Sequence, residues 1–142
     1  MWMRFAALTL VCALIATEPT YAQSRGQLIC NFTHGVVTDL DSARAAPNRV
    51  EERLTLIFQD INRAQSTARM LGNLGGEPTE VIWVDGGSSF SFVEVTPSGN
   101  VTTTSVFPSE RGAPAPAVHS RHIRYPNMPP VISQYFGQCQ SN

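Results

Sequence analysis

No lysine occurs anywhere in this chain; all ten of its basic residues are arginine. Charge is scarce as well, at 15% of residues, and it nearly cancels to a net −1. There is no basic stripe and no long acidic run, which excludes the electrostatic footprint of a nucleic-acid binder or of a protein held on an anionic membrane surface. Arginine in place of lysine would suit bidentate recognition of carboxylates or phosphates. The arginines are scattered rather than clustered, however, which favours genomic base composition as the cause.

Long apolar runs are missing too, with one exception. Phe5 to Ala16 form an apolar stretch after Arg4, followed by Pro19 and the small residues of Thr20-Tyr21-Ala22. That stretch is short for a bilayer span and suits a signal peptide over residues 1–22, with cleavage after Ala22. Cys12 lies inside the run behind the bulky Val11, which does not suit a lipid anchor. No later stretch is apolar enough to cross a membrane, so the expectation is a periplasmic or secreted chain with no membrane span left.

Cysteine is nearly absent, and cleavage would reduce the three to Cys30 and Cys139. An even number in an exported chain points to a disulfide. A bridge across more than a hundred residues would tie the first and last strands together, worth about 4–5 kcal/mol in the chain-entropy model. Residues 23–142 then make one domain with a sizeable core and no room for a second.

Helical periodicity is the next absence. The mature chain reads instead as about eight short strands at roughly ten-residue spacing, an all-β pattern that fits an antiparallel meander closed into a small barrel or folded as a sandwich. In "QLICNFTHGVVT" the residues Leu28, Cys30, Phe32, His34 and Val36 share one parity, as in a strand with one buried face. "DLDSARAAPNRVEE" reads as a loop, with a helical turn allowed at Asp41 or Ser42. Leu54, Leu56 and Phe58 alternate in the next strand, and "EVIWV" runs into "DGG", which predicts a type I′ hairpin. "TPSGN" suits a type I turn with a bulge. The prolines of "PSERGAPAP" suit an extended loop.

Motifs that carry chemistry are also lacking. There is no Gly-x-Ser-x-Gly elbow, the glycine-rich "GNLGGEP" and "DGGSS" precede no helix, and "DLDS" is too short for a calcium loop. No metal and no cofactor is expected from these patterns. What remains is "HSRH", with His119, Ser120, Arg121 and His122 in a row. On a helix two histidines so spaced would share a face and suit zinc. On a strand His119 and Arg121 point one way while Ser120 and His122 point the other, so the two histidines cannot share an ion. Each is then a half-site that needs partners from other strands. His34 could join one of them, with Glu94, Asp85 or Asp60 as the carboxylate. Phe32, Phe58, Trp83, Phe90, Phe92, Phe107, Tyr135 and Phe136 could instead line a ligand cavity or simply fill the core.

Four segments together carry a resemblance: "GNLG" at 72–75, "SFVEVTPSGNVTTTSVF", "AVHSRH", and the terminal "SQYFGQC". The chain resembles a group of small, exported, uncharacterised bacterial proteins that share a Ser-Arg-His strand and a closing Ser-Gln-Tyr-aromatic-Gly-x-Cys strand. The resemblance spans Leu54 to Cys139 and implies export and a shared β fold, with no activity or site residue to transfer. The expectation is a non-catalytic binding or interaction module of the envelope, taking a small-molecule ligand or an envelope protein as partner. His119, Arg121, His122, His34 and Glu94 are its candidate site residues. The rival expectation is a metal-dependent or hydrolytic enzyme using those histidines with a carboxylate.

Overall fold

The computed structural model describes residues 26–40, 47–110 and 112–142. The expected signal peptide and the helical turn at Asp41 or Ser42 lie outside the described residues. Among those residues there is no helix. Nine strands follow one another as β1 (Leu28–Asp39), β2 (Asn48–Val50), β3 (Leu54–Asn62), β4 (Thr67–Leu71), β5 (Thr79–Asp85), β6 (Phe90–Val95), β7 (Val101–Val106), β8 (Ala115–Ile123) and β9 (Val131–Ser141).

All neighbours are antiparallel, and β9 returns to pair with β1 along nearly its whole length. Eight strands therefore close into a barrel, and β2 is the extra one. It continues the edge of β3 along β1, with Val50 opposite Gly35 and Leu54 opposite Phe32. This corrects the loop expected for the segment holding Pro47. The polar, exposed Asn48 and Arg49 reach the ladder because β1 runs on past the end of β3, offering backbone groups that need partners.

Closure makes alternating side chains face inward, and the register stacks them in rows across the strands. One row runs Phe32, Gly137, Ala117, Val106 and Phe90 through β1, β9, β8, β7 and β6. The next runs Gly35, Tyr135, His119, Thr104, Phe92 and Trp83. Aromatic rings fill the middle: Phe58 stacks on Phe92 at 3.7 Å between centroids, and Trp83 lies on Phe90 at 4.4 Å. Phe107 and Phe136 do not join them. Phe107 is exposed beyond the end of β7, and Phe136 stands on the outer wall with Gln134 and Gln138, so neither lines an interior cavity.

Two further expectations are corrected. Strict alternation along β1 puts His34 on the inward stripe, but a bulge between Phe32 and His34 inserts Thr33 and flips the parity beyond it. His34 turns out to solvent and Gly35 turns in. The connection after β5 is a four-residue loop closing on the Asp85–Phe90 pair. It is not a type I′ turn, because only Gly87 there has positive φ while that turn needs two such residues. The turn at "TPSGN" has the expected form, with Gly99 at φ 81° and its amide donating to the Thr96 carbonyl.

Cys30 and Cys139 are direct partners across the β1–β9 ladder and form a disulfide. The bridge sits on the seam that closes the barrel. Beside it Gly137 admits no side chain, since a β-carbon there would run into the Asn31 carbonyl of β1. Replacing both cysteines by serine should lower unfolding free energy by about 4 kcal/mol, as for any cross-link closing a loop of this length. Urea titration of the two proteins measures it, and a loss below about 1 kcal/mol would mean the ladder alone holds the seam.

Candidate functional site at the mouth of the barrel

The buried polar residues among those described are Thr102, Thr104, His119 and Ser133. All lie on β7, β8 and β9, facing inward near one end. Above the row of Tyr135 and His119 stands a last row of Val37, Ser133, Arg121, Thr102 and Glu94. Each polar member is two residues along its strand from a core residue. The apolar layers of the barrel thus end in a polar layer at its mouth.

His119 is 2% exposed, with Phe32 on one side and Tyr135 on the other. The Arg121 Nε–H donates to its Nε2 at 3.1 Å. A guanidinium can only donate, so Nε2 carries no proton and Nδ1–H donates to Thr104 Oγ1 at 2.8 Å. Burial, and secondarily the Arg121 charge, lowers the imidazole to a pKa of about 4. His119 is therefore neutral near pH 7, with both ring nitrogens engaged.

Arg121 is half-buried and lies over the Tyr135 ring, its guanidinium carbon 4.9 Å from the centroid. That ring is in turn fixed at both ends. Gly35 stands opposite it, where a β-carbon would come within 2.8 Å of Tyr135 Cδ1. The phenol donates to Glu52 Oε2 at 2.9 Å. Burial first and this hydrogen bond second push the Tyr135 pKa up, against a smaller opposing effect of Ser133, so the hydroxyl keeps its proton. Glu94 is held by Thr102, whose hydroxyl donates to Oε2 at 3.1 Å.

These groups surround a cavity of about 380 Å³. Its lining combines the polar Glu52, Glu94, Thr102, His119 and Arg121 with the apolar Leu54, Leu56 and Met70. The loop from Gly72 to Gly75 lies over it, pinned by Asn73, which accepts from the Thr55 amide and donates to the Arg53 carbonyl. Among the described residues the ion pairs are Arg49–Glu51 and Arg69–Asp60. The Arg121 guanidinium is thus held by a neutral ring and an aromatic face, lines the cavity, and makes no ion pair with a described carboxylate.

Of the residues singled out from sequence, His119, Arg121 and Glu94 come together here. The alternation expected of HSRH holds, and it sends His122 outward beside a small cleft with Leu40 and Ile132. His34 is on the wall, its ring 5.6 Å from Phe136. Asp60 pairs with Arg69, and Asp85 caps its own loop by accepting from the Gly87 amide. The three histidines share no site, and no group of three or more His, Cys, Asp or Glu among the described residues could hold a metal ion. Sequence reasoning missed Glu52, Thr102, Thr104 and Ser133. The parity of β7 and β9 could have found the last three. A somewhat larger cavity, about 480 Å³ at the opposite end, contains one charged side chain, Arg63, already stacked over Trp83 at 5.3 Å.

The neutral histidine has a consequence for stability. The unfolded chain takes up this proton from about pH 6.5 downward, whereas folded His119 takes it only near pH 4. Between those values the unfolded state binds more protons, so stability falls as pH falls from 6.5 to 4, by up to about 3 kcal/mol. Chemical denaturation across that window should show the slope, and His119→Gln should flatten it. Equal slopes in both proteins would mean that the surface carboxylates alone set the acid response.

Compared with protein-family models, curated proteins and solved structures, the chain matches none.

Proposed function

We propose that this chain is an exported, non-catalytic binding module that holds a small-molecule ligand in the mouth of its barrel. One observation carries the reading: the Arg121 guanidinium is fixed by His119 and by the Tyr135 ring and lines the cavity, yet it forms no ion pair with a described carboxylate. An arginine oriented by neighbours and left unpaired is prepared for a ligand's oxygen atoms, because its fork of donors loses little freedom when they arrive.

The chemistry of the mouth favours binding over catalysis. His119 has no free ring nitrogen, and with a pKa of about 4 it is not the imidazolium that a general acid would need at neutral pH. Tyr135 keeps its proton on Glu52. The Thr104 hydroxyl accepts from His119 Nδ1–H, so the imidazole does not stand to it as a base. Export is supported by the N-terminal apolar pattern, by the resemblance to exported bacterial proteins and by the disulfide across the seam.

Native mass spectrometry of protein recovered from its own host's envelope tests the reading. The chain should begin at Gln23 and carry a small bound mass, and Arg121→Gln should lose that mass while melting as one cooperative unit. A bound mass that survives the substitution would place the ligand elsewhere.

A further inference from the structure

The charges around the mouth say what kind of ligand fits, given the binding reading above. His119 is neutral because it is buried beside the Arg121 charge, and its Nε2 accepts from Arg121. The cavity lining therefore carries one positive group, Arg121, and two negative ones, Glu52 and Glu94. Each carboxylate spends one oxygen on a neutral hydroxyl, Tyr135 for Glu52 and Thr102 for Glu94. That leaves Oε1 of each for another partner.

We infer that the mouth takes a free amino acid with a cationic side chain, its carboxylate on Arg121 and its two cationic nitrogens on Glu52 and Glu94. The alternatives fail on charge. A simple anion would gain one guanidinium and face two carboxylates. A simple polyamine would face the guanidinium and leave it unpaired. An uncharged ligand would cover three charges without compensating any of them, which costs more than it returns. One carboxylate with two cationic nitrogens matches the lining one for one.

Size and shape agree. At about 380 Å³ the cavity is near the lower end of small-molecule sites. Its lining also includes Leu54, Leu56 and Met70, apolar side chains against which the methylene stem of a lysine or arginine can lie while its charged end reaches a carboxylate.

Isothermal titration of the mature, disulfide-intact protein, freed of any bound mass, tests this with defined probes. L-Lysine or L-arginine should bind. Cadaverine and agmatine, which lack the carboxylate, should bind at least about tenfold more weakly, and hexanoate should give no heat, because each lost charged hydrogen bond is worth an order of magnitude or more. Arg121→Gln should erase the preference for L-arginine over agmatine. Glu94→Gln, which leaves the arginine network intact, should weaken L-arginine about tenfold. Equal binding of agmatine and L-arginine, a preference that survives Arg121→Gln, or no binding of either amino acid would each overturn the inference. The outcomes also separate the two levels of the reading. A copurifying mass that depends on Arg121 but is not a cationic amino acid removes the ligand class and leaves the mouth as the site. A ligand that ignores Arg121 removes both.

Discussion

The pairing of β1 with β9 is the constraint on which the rest depends. It closes the sheet, and by doing so it decides which parity of every strand faces inward. Cys30 opposite Cys139 locks that register covalently, and Gly137 lets β1 approach where a side chain could not. A slip of one residue at this seam would exchange Tyr135 with Gln134 and take Arg121's platform out of the barrel. The bulge at Thr33 shows the same rule locally. It turns His34 out and brings in Gly35, whose missing β-carbon leaves space for the Tyr135 ring.

A chain of dependence then runs up to the mouth. A buried imidazole beside a guanidinium is unfavourable when charged and stable when neutral, so the fold selects the neutral form. Neutrality in turn gives Nε2 a lone pair with which to hold Arg121. Thr104 completes the arrangement by accepting from the other nitrogen, which fixes the tautomer. Tyr135 does for the face of the guanidinium what His119 does for its edge. The result is a cation whose position is set entirely by groups that do not neutralise it.

Much of this was legible in the sequence, and what was not has a physical reason. Period-2 alternation placed most of the strands and the parity of His119 and Arg121, because these depend on local side-chain direction, while the partnership of Cys30 with Cys139 followed from the cysteine count once Cys12 is assigned to the expected signal peptide. Alternation could not reveal the bulge in β1, which obeys no composition rule and reversed the placing of His34. Nor could it find β2, whose residues are polar and pair only because β1 extends past β3. Glu52 was out of reach for a related reason. It lies just before β3 with no pattern of its own, and only the closed barrel carries Tyr135 to it across 83 residues of chain.

The filled interior also determines what kind of site the mouth can be. Eight strands leave room for little more than their own side chains, and here Phe58 stacked on Phe92 occupies the centre. The cavity above that stack is therefore shallow, and burial of apolar surface can contribute only modest affinity there. In the proposed binding, charge would carry recognition instead, at a position where charged hydrogen bonds are stronger than in open solvent. Glu94 and Arg121 are both half-buried, Glu52 is exposed, and all three are anchored by hydroxyls or rings rather than by one another. Were Arg121 simply a structural cation, pairing with either carboxylate would be its lowest-cost arrangement. The fold instead gives each charge a neutral partner of its own, Thr102 for Glu94, Tyr135 for Glu52 and His119 for Arg121, the arrangement on which the proposed binding of a charged ligand rests.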